Sequence, residues 1–210
     1  MSIFTLFRSK SRSLGAGSIG LHWKTPAGKH HRVASPLTNQ QLDELLMREL
    51  PGYQSVFVSR PEALLTAAFF GWRKEGVFTG WARLEWHGPL DYQFKQYPED
   101  EFYFVRQNKE KITPDAMNTD GGSIPRLAWI IPGLSPWDYL PAYIVHDWEF
   151  LAHHRKLTNK TFEEVNLTLA EGIYTLWQAG LAHSDFVRIE IIYQAVSSPI
   201  GRKLWDHPGQ

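Results

Sequence analysis

Two short stretches hold most of the residues that could do chemistry. They are Thr119-Asp120-Gly121-Gly122-Ser123-Ile124-Pro125-Arg126 and, twenty residues on, His146-Asp147-Trp148. In the first, Asp120-Gly121-Gly122 can turn through positive φ, Ser123 can cap a helix, and Pro125 suits an early helical position. As structure alone this is a strand-to-helix corner. As chemistry, the corner would aim Asp120 and the free backbone N–H groups of Gly121, Gly122 and Ser123 into a shared pocket. Arg126 would stand nearby to bind an anion or fix a carboxylate.

The second stretch lies within an aromatic and aliphatic helix. Helical spacing puts Ala142, His146, Glu149, Phe150 and His153 along one side, with Asp147 about 100° away beside Tyr143, Leu151 and His154. A charge in so apolar a helix needs a partner, and Arg126 is one candidate for it. In the helix expected after Thr161, an apolar stripe of Phe162, Val165, Leu169, Ile173, Leu176 and Trp177 encloses Asn166. A core amide must find hydrogen-bond partners, and His146 or Asp147 would supply them. Asp120, His146, Asp147 and Asn166 are thereby expected to converge. Read as catalysis, the set is a hydrolase site in which His146 acts as general base on water, oriented by Asp120 or Asp147. Asn166 and the Gly121-Gly122 N–H groups would polarise the substrate. Read as structure, it is a buried polar staple.

Composition removes several other chemistries. The chain has no cysteine, which excludes disulfides, thiol nucleophiles and thiolate zinc sites. A divalent metal would have to rest on His, Asp, Glu, Asn or backbone oxygen. Glu149 and His153 could assist one at i, i+4, but such helix pairs are common, and neither a metal nor any other cofactor is indicated. A phosphohydrolase with a His-Asp doublet needs a further upstream histidine, and none lies between His87 and His146. Secreted phospholipases with His-Asp on a helix are stapled by disulfides. Gly-x-Ser-x-Gly and P-loop patterns are absent.

The elements that must position these residues are legible by period. Residues 8–36 are rich in Ser, Gly and basic side chains and read as an extended arm. Thr38 with Gln41 forms a capping box for a helix over 39–50, closed by Pro51-Gly52. Residues 53–58 are strand-like, and Pro61 opens a second helix over 62–70. From Val77 the period becomes two. Phe78, Gly80, Ala82, Leu84 and Trp86 alternate with Thr79, Trp81, Arg83, Glu85 and His87. Residues 92–94 and 101–106 are further strands across a Tyr97-Pro98-Glu99-Asp100 turn. After Pro125 everything reads helical. Asp138 would cap a helix from Tyr139 to Arg155, a Thr161/Glu164 box opens one that runs to Ala179, and Ser184 starts a last one that ends at Ser197-Ser198-Pro199. The expected fold is α+β: a small antiparallel sheet over 77–117 followed by a three-helix C-terminal assembly. Residues 1–76 form an N-terminal arm and helical extension to a main domain over 77–210.

The 22 basic and 22 acidic side chains balance, so attraction to nucleic acid is not expected to define the chain. No apolar run approaches the roughly 20 residues of a membrane span. The Ile3 to Phe7 stretch is too short for a signal peptide, which makes cytoplasmic synthesis the default. Nine Trp, eight Tyr and twelve Phe suit a bulky core or an exposed aromatic surface for a partner.

The Thr119, Asp120, Ser123, Ile124, Pro125 and Arg126 corner, the His146-Asp147 helix and the inward Asn166 together resemble the domain-of-unknown-function 1353 family, widespread in tailed phages and prophages. The resemblance spans about residues 84 to 205. Glu149-Phe150 departs from the more usual Leu-Tyr at that point, and the N-terminal extension is unusually long. The resemblance implies a phage setting and synthesis in the host cytoplasm, but no reaction. It frames two rivals. One is a hydrolase acting on a cell-wall or nucleotide-type substrate. The other is a virion or host-interaction protein that contacts other phage proteins through its aromatics and N-terminal arm.

Overall fold

A computed structural model describes residues 23–24, 30–31, 38–49, 52–53, 55, 76–88, 91–119 and 138–207. The expected helix over 62–70 and residues 56–58 of the expected strand lie outside them, as do Asp120, Gly121, Gly122, Ser123 and Arg126 of the corner. Within the expected arm, β1 (Trp23–Lys24) and β2 (His30–His31) pair antiparallel.

Helix α1 (Asn39–Glu49) starts as its capping box requires. Gln41 N–H donates to Thr38 Oγ1 at 3.2 Å, and Thr38 N–H donates to Gln41 Oε1 at 2.9 Å. Beyond it, the expected single sheet is two three-stranded antiparallel sheets. One is ordered β3 (Val77–Thr79), β6 (Tyr103–Val105), β7 (Lys111–Ile112). The other is ordered β4 (Leu84–Gly88), β5 (Asp91–Phe94), β8 (Met117–Thr119). The period-two run from Val77 is split because Gly80 sits at φ +78, a conformation that favours glycine. A Cβ there would stand 2.2 Å from the Glu101 carbonyl oxygen. Alternation continues on both sides of the break, but it serves different sheets.

Among the described residues four helices follow. The first is α2 (Leu140–His154), apolar enough on most sides to be enclosed. Tyr139 rather than Asp138 occupies its N-cap, with no side-chain cap, and Pro141 lies in the first turn, where it removes no helical hydrogen bond. Helix α3 (Phe162–Gln178) carries both halves of the Thr161/Glu164 box and is followed by Gly180 at φ +68. Helix α4 (Phe186–Val196) is capped by Asp185, not Ser184, whose side chain is buried. The fourth, α5 (Pro199–Asp206), was not expected: the serines and proline read as a stop also start a helix, with Ser198 as N-cap and Pro199 in the first turn.

Helix α2 is the hub. Its Leu140, Ile144 and Val145 pack on Leu84, Phe94, Phe104, Ile112 and Met117 from the sheets and on Phe102 just before β6. Tyr139, Ala142 and Tyr143 join α3 and α4 in a second cluster that also takes in Leu46 of α1 and Tyr53. Phe150 meets Phe162, Val165 and Trp205 in a third.

Candidate functional site

Consecutive residues on α2 point about 100° apart, and the fold puts a different element on each side. His146 faces α3. Its Nε2 lies 2.9 Å from Asn166 Oδ1, and Asn166 Nδ2 donates to Ser197 Oγ at 3.1 Å. With the amide oxygen turned to the imidazole, Nε2 carries the proton and Nδ1 is a bare lone pair. That lone pair has no hydrogen-bond partner. His146 and Asn166 are both 0% exposed, and the Phe150 ring lies 4.7 Å from the imidazole. Burial drives the imidazole pKa from 6.5 down to about 4, against an opposing pull from Asn166.

Asp147 faces the sheet. Its Oδ2 accepts from Thr119 Oγ1 at 2.5 Å, at the end of β8 and one residue before Asp120. Asp147 is half-buried, and Thr119 is buried. The structure therefore joins His146 to Asn166 and Asp147 to Thr119, on separate sides of one helix. The contribution of Asp120 to either side, and the pairing of Arg126 with Asp120 or Asp147, lie outside the described residues.

Sequence reasoning missed three participants. Ser197 was read only as a helix stop, although a residue four positions after Tyr193 on the same helical row can still turn inward. Tyr143 lies one turn before Asp147. Its hydroxyl is wholly buried and without a hydrogen-bond partner, and burial raises its pKa well above the usual range. Lys160, in the α2–α3 connection, is the third. It holds Glu149, which is 3% exposed rather than on an open helix face. His153 instead stacks on Trp205 at 3.7 Å, so Glu149 and His153 do not face a common metal. Among the described residues no group of three or more His, Asp or Glu is arranged to hold one. Nor, among them, is any helix long and apolar enough to cross a membrane.

Residues 99–196 match the model of the family described as protein of unknown function (DUF1353). This part of the chain is similar to DUF1353. This region runs from the turn after β5 to the end of α4, a narrower span than the motif resemblance, and contains His146, Asp147 and Asn166 but stops one residue before Ser197. No curated protein and no solved structure gives a significant match to the chain.

Proposed function

We propose that this chain is a structural or interaction protein of a tailed phage or prophage, and that His146, Asn166 and Ser197 are its internal staple, tying α2 to α3 and α4. Complete burial of His146 and Asn166 supports this reading most. A general base must reach the proton it removes, and this imidazole is closed to solvent and, with its pKa lowered to about 4, a weak base. The phage setting rests on the family resemblance. The aromatics and N-terminal arm are the expected contacts with other phage proteins.

One observation favours the hydrolase alternative: Asp147 is half-buried and held by Thr119 next to Asp120, so it could orient a substrate or a water without His146. The double variant His146→Leu/Asn166→Ala separates the roles. It removes both buried partners together while nearly conserving their summed volume, a change that costs little in a structural network. The expected outcome is stability within about 1 kcal/mol of wild type and normal plaque formation by the encoding phage or induced prophage. A variant that melts like wild type yet yields no infectious particles would assign the pair a chemical role.

A further inference from the structure

We infer that Glu149 is a proton-binding site that couples solution pH to how firmly the Arg106–Glu110 turn and Lys160 are held against α2 and α3. This goes beyond the proposed function and does not depend on it. The basis is a charge count in a closed cluster. Lys160 Nζ contacts Glu149 Oε1 and lies 2.5 Å from Glu110 Oε1. Arg106 Nη1 lies 3.0 Å from Glu110 Oε2, and Arg106 Nε lies 2.9 Å from Glu171 Oε2. Gln107 N–H donates to Glu171 Oε1 at 2.7 Å. Three carboxylates thus face two cations. Glu110 and Glu171 have both oxygens engaged, whereas Glu149 uses one and buries the other, Oε2, without a partner. A proton on Glu149 brings the cluster to neutrality and gives Oε2 its hydrogen.

The groups acting on Glu149 come from each element packed around it. Lys160 comes from the connection, and Glu110 and Arg106 come from the turn between β6 and β7. Glu164 on α3 feels Lys160 and Arg106 from the outer side, and Glu171 on α3 closes the far end through Arg106. On α2 itself His146 lies one turn before Glu149, Asp147 two residues before and His153 one turn after, and none of the three is among the groups that shift it. Burial outweighs the two cations and lifts the Glu149 pKa from 4.5 to about 7. A carboxyl with a raised folded pKa holds its proton more tightly closed than open. The closed cluster is therefore favoured most below pH 4.5, loses ground as pH rises to about 7, and is constant above that.

The test is an NMR titration of wild-type protein carrying ¹³C-labelled glutamate, with Glu149→Gln used to assign the Glu149 Cδ. Glu149 is expected to titrate near pH 7, with the Gln107 and Lys160 amides moving at the same midpoint. Protection of the Gln107 amide, corrected for intrinsic exchange, is expected to fall about a hundredfold between pH 5 and 8. In Glu149→Gln the shared midpoint and that fall should both vanish. An ordinary glutamate midpoint would overturn the inference, as would a midpoint near 7 that leaves Gln107 and Lys160 unmoved.

Discussion

At pH 8, Lys160→Met should cost about 1–3 kcal/mol of folding free energy, because the buried carboxylate left without its cation must take up a proton and loses a hydrogen bond. Lys160 is the hydrogen-bond partner of the Glu149 carboxylate, whose side chain is 4% exposed. Glu110 loses the same lysine but keeps Arg106 and is a third exposed, so its share of the loss is small. The magnitude depends on ionisation. At pH 6 most Glu149 already carries a proton, and the penalty shrinks accordingly. Urea denaturation at the two pH values measures both numbers. An equal loss at pH 6 and pH 8 would mean that Lys160 acts through packing rather than charge.

His146→Ala should cost about 2–4 kcal/mol at pH 7 with an unchanged denaturant slope. Two effects add. The imidazole leaves a space beside Phe150, and Asn166 Oδ1 is left buried without its donor. The signature is again in pH. A histidine whose pKa falls from 6.5 unfolded to about 4 folded contributes stability that is present above 6.5 and lost as pH drops toward 4. The difference corresponds to about 3 kcal/mol. Glu149 works in the opposite sense over nearly the same interval, since its folded pKa is raised to about 7. Wild type should therefore show a flatter acid limb than either single replacement. Removing His146 exposes the decline due to Glu149 as pH rises, whereas Glu149→Gln exposes the loss due to His146 as pH falls.

What could be read from sequence was local. Thr38/Gln41 and Thr161/Glu164 announced two helix starts because a capping box is complete within four residues, and Gly180 announced a stop for the same reason. The sheet-then-helices order followed from the change of period. Asn166 pointed to a buried partner because an amide inside an apolar stripe cannot stay unsatisfied, but choosing His146 over Asp147 required the packing of α2 on α3. The split at Gly80 was hidden because alternation persists across it. The Glu149 cluster was hidden for a different reason. Its members come from the β6–β7 turn, α2, the connection and α3, and each looks like an ordinary surface charge until tertiary contacts close around it.

The central claim is that His146 is a sealed, neutral staple. A ¹⁵N NMR titration of its imidazole in the intact chain tests that most directly. The expected result is the Nε2–H tautomer down to a midpoint near 4, with a ring N–H proton protected from exchange. A midpoint between about 6 and 7 with a freely exchanging ring proton would contradict it and place His146 in contact with solvent.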